Sequence, residues 1–271
     1  MLVKDLLVVM LAAGMSTRFN PEHRKTHKSL LQIDLDNRIF DLILNSLIYN
    51  AVSHINILLG YKANEFEEYL HTEKHLNIKN IHLNSILANK DYVKGPAFTL
   101  LSLIPELEES TKNFVVIPSD TIFHPSILNQ IFTSELDQSS NLCFLFTVQL
   151  SETLISLINQ NISFSPNFIE RTPFLRSLPE KEEISQNFKE FYIPILILSR
   201  SFLNFINNPE NRISGKIIQN LEKYYDNTGN CQVIRLKYDL DIPPFLDIDT
   251  SLIYNTLSRV KKELLEPYKV K

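Results

Sequence analysis

The sequence predicts an α/β protein with three α/β/α layers, in which helices cover both faces of a mostly parallel central sheet. Two observations lead to this prediction. Short apolar runs alternate with amphipathic helical patterns from residue 6 to residue 150, and strands separated by helices form βαβ units whose strands are parallel. The first run, residues 6–11, is apolar throughout, which is typical of a central strand buried on both faces.

The remaining elements follow in a regular order. Residues 38–52 place apolar side chains three and four positions apart, the spacing of an amphipathic helix. Residues 64–70 begin with an asparagine cap and an acidic first turn, which favours a second helix. The other predicted strands are 55–59, 78–86, 114–118, 142–150, 191–198 and 231–237, and the other predicted helices are 97–104, 125–132, 214–225 and 250–265.

Length and composition predict one domain. The chain has 271 residues, of which 44% are hydrophobic and 21% charged, enough to bury a sizeable core. We expect a single domain over residues 1–271. Its regular pattern breaks at residues 151–189, where serine, asparagine, proline and charged residues accumulate. We interpret this segment as an irregular insertion or flap over the working edge of the sheet.

Charge and apolar run lengths exclude two classes of partner. The 27 basic and 31 acidic residues give a net charge of -4, the wrong sign for binding nucleic acid through bulk charge. No segment has the roughly 18 apolar residues that a membrane span needs. We therefore expect a cytoplasmic protein without nucleic-acid partners.

Cysteines and histidines indicate neither a disulfide framework nor a metal cluster. Cys143 and Cys231 stand far apart in strand-like stretches, so we expect reduced, buried thiols. The histidines show no metal-ligand spacing, and we expect them at the surface or in loops; they are His23, His27, His71, His75 and His82.

Glycine is scarce, and its positions are informative. Only five glycines occur, and three of them, Gly14, Gly60 and Gly95, stand where loops between strands and helices are predicted. Such loops form the ligand-binding edge of open α/β sheets. The run from Leu11 to Phe19 after the first strand has small residues, so its backbone amides can approach phosphate oxygens.

Positive charge follows at Arg18 and Lys28, as a triphosphate site requires. The spacing fits neither a dinucleotide fingerprint nor a P-loop. It resembles the nucleotidyltransferase superfamily pattern L-A-A-G-x-(G/S)-(T/S)-R followed by K-x-L. Sugar-1-phosphate nucleotidylyltransferases, molybdopterin guanylyltransferase-like proteins and inositol- or choline-phosphate cytidylyltransferases share this pattern.

Three later segments resemble family segments in the expected order. Residues 95–101 look like the glycine-started helix beside the base, and residues 115–120 look like the strand that ends in a metal-binding aspartate. Residues 246–250 look like the late Asp-x-Asp-Thr segment. The resemblance is strong over residues 1–135 and weak over 150–240, and it implies a Rossmann-like fold of the nucleotide-diphospho-sugar transferase type.

Three departures from the family pattern stand out. His27 occupies a position where the family often has proline, and Ser16 replaces the commoner glycine. Residues 251–254 lack the usual Pro-Glu-Asp-Leu.

The resemblance implies a magnesium-dependent enzyme that transfers a nucleoside monophosphate from a nucleoside triphosphate to a phosphorylated small molecule and releases pyrophosphate. Arg18 and Lys28 would hold phosphates as the catalytic residues. Asp120 would bind Mg²⁺ with Asp247, or with Asp249 in its place. The implied nucleotide-binding residues are Leu11, Ala12, Ala13, Gly14, Ser16, Thr17, Gly95, Pro96, Ala97 and Asp120.

Several alternatives stay open on the sequence. The chain could be a glycosyltransferase that uses a nucleotide sugar, or a non-catalytic nucleotide-binding regulatory homologue. Each aspartate could cap a helix instead of binding metal, and Lys216 could belong to a solvated helix face instead of contacting an acceptor phosphate. Nucleobase, acceptor and oligomeric state are not determined by the sequence.

Overall fold

The computed structural model describes residues 2–72, 81–136, 141–153, 155–156, 188–240, 242–248, 251–255 and 262–270. Its strands are β1 Leu7–Ala12, β2 His54–Leu59, β3 His82–Leu87, β4 Asn113–Pro118, β5 Thr121–Phe123, β6 Cys143–Ser151, β7 Phe188–Ser199, β8 Cys231–Leu236 and β9 Phe245–Asp247. Its α-helices are α1 Ile39–Tyr49, α2 Ala63–Thr72, α3 Pro96–Leu100, α4 Pro125–Thr133, α5 Arg200–Asn207, α6 Ile217–Thr228 and α7 Ser251–Asn255.

Seven of the described strands form one twisted sheet in the order β3-β2-β1-β4-β7-β6-β8. The strand β7 runs antiparallel to both of its neighbours, and the other six strands run parallel to one another. β1 lies in the interior of the sheet, between β2 and β4. The prediction of a mostly parallel sheet with a central first strand is therefore confirmed.

Helices pack on both faces of the sheet, as predicted. Because successive side chains of a strand point to opposite faces, Val8 and Met10 of β1 belong to one apolar cluster and Val9 belongs to another. Side chains of α1, α2 and α4 fill the first cluster. Side chains of α3, α5 and α6 fill the second. The two clusters are the interiors of a three-layer α/β/α fold.

The structure adds elements that the sequence pattern did not predict. β5 and β9 pair antiparallel in a separate two-stranded sheet, in which Thr121 faces Asp247. α5 follows β7 directly, and its first turn is capped by Ser199 Oγ, which accepts the Phe202 N–H at 3.1 Å. The predicted helix 97–104 is α-helical only to Leu100 and continues as a 3₁₀ helix to Glu106, within which Pro105 lacks the N–H that an α-helix needs.

Some predictions fall outside the described residues. Of the predicted strand 78–86, residues 78–80 lie outside them, as do residues 157–187 of the predicted insertion. The last predicted helix is described as α7 and as a 3₁₀ helix over Lys262–Tyr268, with residues 256–261 outside the description. No helix in the described ranges is long and apolar enough to cross a membrane.

The two cysteines are buried and free, as predicted. They nevertheless lie side by side, since the parallel register of β6 and β8 pairs Cys143 with Cys231. The Ser199 backbone N–H donates to Cys143 Sγ at 3.4 Å. The pair therefore belongs to the packing of the sheet at the start of β6 and β8.

The close approach of Gly95 and Gly215 holds the loop before α6 against the start of α3. The Ala97 N–H donates to the Gly215 carbonyl at 2.9 Å. A Cβ atom at Gly215 would lie 1.8 Å from the Lys94 carbonyl oxygen. Position 215 therefore cannot accommodate a residue with a side chain unless the backbone moves.

Substituting Gly215→Ala should therefore undo this docking and lower the free energy of unfolding by roughly 2 kcal/mol, within the usual range for strain or overpacking. Urea unfolding of the variant measures the loss. Gly14→Ala is the matched control, because its Cβ would meet Lys28 only at 3.5 Å, an ordinary contact distance. Equal stability of Gly215→Ala and the unsubstituted protein would contradict the docking.

Candidate active site

An ion pair between Lys28 and Asp120 lies at the carboxyl end of the sheet. Lys28 begins a short 3₁₀ helix over Lys28–Leu30, and Asp120 stands between the ends of β4 and β5. The Lys28 ammonium group donates to Asp120 Oδ2, and the two side chains are only 17% and 11% exposed. Water therefore screens this pair much less than a surface ion pair.

Hydrogen bonds on both sides of Lys28 fix its backbone. The Ser29 and Ser119 hydroxyls contact each other at 2.7 Å, which ties the 3₁₀ helix to the end of β4. His27 Nδ1 accepts the Ser29 N–H at 3.2 Å, so Nε2 carries the proton and donates to the Ala12 carbonyl at 2.9 Å. The loop that carries Lys28 is thus bound to the end of β1.

His27 is fully buried, and His23 is nearly so. Both lie in the connecting segment between β1 and α1, as the prediction of surface or loop positions allows, but not at the surface. Sequence spacing does not reveal that a histidine in a loop has internal partners. Burial, helped by the positive charges of Lys28 and Lys62, lowers the pKa of His27 to about 4 against the opposing effects of the Ala12 carbonyl and Asp120. The imidazole is consequently neutral near pH 7.

The loop after β1 contains a strained and unsatisfied residue. Ser16 has a φ of 53°, a left-handed conformation that favours glycine. Its side chain is buried, and Oγ has no hydrogen-bond partner in the described part of the chain. A buried hydroxyl without a partner costs free energy, so an exogenous ligand that bonds to Ser16 Oγ would find this group already desolvated and positioned.

Gly14 gives this loop close access to Lys28. A Cβ at Gly14 would lie 3.5 Å from both Cε and Nζ of Lys28. The ammonium group therefore lies directly beside the backbone of the loop. A cation beside an exposed glycine backbone is an arrangement that can bind phosphate oxygens.

Gly60 and Tyr92 connect the loop after β1 to the start of α3. A Cβ at Gly60 would lie 2.7 Å from Ala13 Cβ and 2.9 Å from the Tyr92 ring. The Tyr92 carbonyl accepts the Gly95 N–H at 3.0 Å. Residues 11–14 and 95–97 are thereby joined through packed side chains on one edge of the sheet.

The late aspartate segment lies beside Asp120. The Ile248 N–H donates to the Asp120 carbonyl at 2.9 Å, and the Thr121 hydroxyl donates to Asp247 Oδ1 at 3.3 Å. Asp249 lies outside the described residues. Within the described ranges, no three His, Cys, Asp or Glu side chains form a metal-binding group.

The donor set fits Mg²⁺ more readily than a softer metal. Mg²⁺ takes oxygen ligands, keeps several waters and is commonly held by one or two carboxylates together with substrate phosphates. Asp120 offers such a carboxylate at the rim of the loop that contains Ser16 and Gly14. Metal sites formed wholly by protein side chains need more ligands than this arrangement provides.

The other predicted residues surround this core with differing exposure. Arg18 and Thr17 are exposed, Ala12 and Ala13 are buried, Leu11 is half-buried, and Ala97 is buried behind exposed Pro96. Lys216 is exposed at the N-terminal cap of α6, next to the docked Gly215.

Hydrogen bonds and a ring contact join the loop after β1 to α7, and the sequence did not predict them. The Ser251 hydroxyl accepts the Asn20 N–H at 2.8 Å and contacts His23 Nδ1 at 3.0 Å. Tyr254 packs edge-on against the His23 ring. Ser251 begins the segment that departs from the family pattern, and no sequence signal shows that its hydroxyl reaches across 231 positions.

The fold and the candidate site define an α/β protein in which the carboxyl edge of the sheet combines a glycine-containing loop, a lysine and an aspartate. The nucleotidyl transferase family profile matches residues 7–153, more than half of the chain. The chain therefore belongs to the nucleotidyl transferase family. No curated protein matches it significantly.

Solved structures of the same fold span nearly the whole chain. The inositol-1-phosphate CTP transferase from T. maritima is 15% identical, with a TM-score of 0.63 over 97% of this chain and 98% of that one. A Bacillus anthracis protein assigned as a glucose-1-phosphate thymidylyltransferase is 14% identical, with a TM-score of 0.61 over 94% and 95%. The UDP-glucose pyrophosphorylase from Acinetobacter baumanii is 13% identical, with a TM-score of 0.59 over 93% and 92%.

Substituting Ser16→Gly should raise the free energy of unfolding by about 1 kcal/mol, because it relieves the left-handed strain and removes the unsatisfied hydroxyl. Urea unfolding measures this gain. Ala51→Gly is the matched control, since Ala51 has a φ of 58° at an exposed position on another loop. Nucleoside triphosphate affinity should fall only in Ser16→Gly; an unchanged affinity there would mean that the hydroxyl contacts no ligand.

Stability should also depend on pH through His27. Its pKa is about 4 in the fold and 6.5 in the unfolded chain, so the unfolded state binds more protons between these values. The contribution of neutral His27 to the free energy of unfolding is fully present above pH 6.5. It should fall by about 3 kcal/mol as the pH falls to 4.

His27→Gln, which retains one donor and one acceptor, should flatten this decline in urea unfolding at pH 7, 6 and 5. His71→Gln, which removes an exposed histidine of α2, is the matched control. A decline that remains as steep in His27→Gln as in the control would contradict the assignment.

Proposed function

We propose that the protein is a magnesium-dependent nucleotidyltransferase. It would transfer a nucleoside monophosphate from a nucleoside triphosphate to a sugar phosphate or to a polyol or choline phosphate, with release of pyrophosphate. The observation that carries the proposal is the contact between Lys28 and Asp120 beside Gly14. This contact supports the proposal because a cation suited to phosphate and a carboxylate suited to metal lie together beside the glycine of the loop after β1.

Each residue has a proposed role. Lys28 holds the α-phosphate or the acceptor phosphate, and Arg18 holds the β- and γ-phosphates. The amides of residues 11–14 and the Ser16 hydroxyl bind phosphate oxygens, and residues 95–97 lie beside the base. Asp120 holds Mg²⁺ together with Asp247 or Asp249, and the bound ion would neutralise charge on the phosphates.

The reaction needs little proton chemistry. An oxygen of the acceptor phosphate forms a bond to the α-phosphorus, and the bond from that phosphorus to the bridging oxygen of pyrophosphate breaks. Catalysis then depends on holding the groups in line and on offsetting the developing charge. His27 contributes as a positioning residue, because its bonds to Ala12 and Ser29 fix the backbone on which Lys28 stands.

Location, domain organisation and acceptor class follow from the same proposed function. Nucleoside triphosphates are cytoplasmic substrates, so we propose that the protein is cytoplasmic, with one domain in which residues 151–189 are an irregular insertion or a flap. The late Asp-x-Asp-Thr segment favours an inositol-, choline- or molybdopterin-like acceptor over a dTDP-sugar route. No nucleic acid takes part.

The first experiment measures thermal stabilisation by CTP, GTP, UTP, ATP and dTTP with Mg²⁺. One triphosphate at 100 times its Kd should stabilise the protein by about 2.7 kcal/mol. That nucleotide is then tested for pyrophosphate release with a panel of sugar, polyol and choline phosphates. Stabilisation by a nucleotide sugar instead would indicate a glycosyltransferase, and binding without turnover on every acceptor would indicate a regulatory homologue.

Lys28→Met and Asp120→Asn should each lower kcat by at least about 100-fold, because each removes a group that offsets charge in the transition state. Thermal unfolding establishes that both variants stay folded. Lys223→Met is the control, since Lys223 lies on α6 and its ammonium group donates to the Glu210 carbonyl at 2.7 Å, away from the site. Activity within a few-fold in either test variant would overturn the assigned roles.

A further inference from the structure

The ion pair joins two groups whose proposed partners differ. In the proposed function Lys28 binds a phosphate and Asp120 binds the metal ion. In the structure, however, the two side chains are paired with each other. With exposures of 17% and 11%, neither charge can turn to bulk solvent for full compensation. A ligand that binds one of them must therefore leave the other charge poorly paired.

We propose that Lys28 and Asp120 form a competing internal pair which couples the binding of the divalent cation to that of the triphosphate. The inference rests on the proposed function. Mg²⁺ alone must compete with the Lys28 ammonium group for Asp120, and triphosphate alone must compete with the Asp120 carboxylate for Lys28. When both ligands bind, each charge exchanges one partner for another and no charge is left unpaired.

Two features near the pair support an exchange of partners instead of a movement of the loop. The backbone of residues 27–29 is held by the His27 and Ser29 hydrogen bonds, whereas the Lys28 side chain extends from it past Gly14. No side chain at Gly14 blocks the ammonium group on that side. Lys28 can therefore leave Asp120 for a phosphate bound at residues 14–16 by rotating its side chain alone.

An exchange of partners changes ligand affinity in the opposite direction to the simple loss of a ligand. Asp120→Asn removes a proposed metal ligand, yet it should bind metal-free triphosphate more tightly than the unsubstituted protein because Lys28 is released. Lys28→Met removes a phosphate ligand, yet it should bind metal alone more tightly because Asp120 is released. Both gains should be roughly 5- to 150-fold, the usual range of coupling between sites.

The test measures binding, with no turnover. Calorimetry gives the affinity for each of the five triphosphates in EDTA, and electron paramagnetic resonance gives the affinity for Mn²⁺ alone, for the unsubstituted protein and both variants. Long-range charge effects are controlled by Lys62→Met and Asp91→Asn. Lys62 is near enough to lower the pKa of His27, and Asp91 forms an exposed pair with Lys94 at 2.8 Å.

Gains in the two test variants that exceed those of the controls at least several-fold support the exchange. Weaker or unchanged binding in either test variant, or equal gains in its control, overturns it. If the unsubstituted protein binds a triphosphate with Mg²⁺ but the gains are absent, only the exchange fails. If it binds no triphosphate with or without metal, the proposed function and the exchange fail together.

Discussion

The contact of Lys28 with Asp120 is the interaction on which the geometry of the site depends. It joins the loop that follows β1 to the end of β4, a neighbouring strand of the sheet, through two residues that are 92 positions apart along the chain. A shielded pair of this kind stabilises little by itself, because desolvation offsets most of the attraction. Its consequence is that neither of these two shielded charges is left uncompensated, so this edge of the sheet can form before a ligand arrives.

The fold is well packed in the middle of the sheet and strained at this edge. Val8, Val9 and Met10 are completely buried in the middle of β1, whereas the loop that follows contains the left-handed Ser16 with its unsatisfied hydroxyl. Strain that persists in a folded protein is maintained by the structure around it and concentrates at functional sites. The packing of Gly60 between Ala13 and Tyr92 and the docking of Gly215 on Gly95 supply that surrounding rigidity.

The sequence predicted the parts of the fold that depend on periodicity. The strands of the parallel sheet and the amphipathic helices α1 and α4 were recognisable, because burial imposes a pattern on consecutive residues. The three-residue strands β5 and β9 are too short to show a period, and their pairing joins segments that are far apart in the sequence. For the site, the sequence predicted which residues stand near the ends of strands, but not which of them contact one another. The pairing of Lys28 with Asp120 and the role of Ser251 depend on long-range contacts that no local pattern encodes.

The replacement of the family's common proline by His27 shows why a departure from a motif can leave a site intact. His27 has a φ of -57°, within the range to which a proline ring confines the backbone. The position therefore keeps the backbone angle that proline would impose.

Unlike proline, His27 has a backbone N–H, and Glu65 Oε2 accepts it at 3.0 Å. The imidazole adds bonds to Ala12 and Ser29, so hydrogen bonds hold the loop where a ring would have restricted it. Because these bonds require a neutral ring, the position of Lys28 becomes dependent on pH in a way that a proline-containing relative would not share.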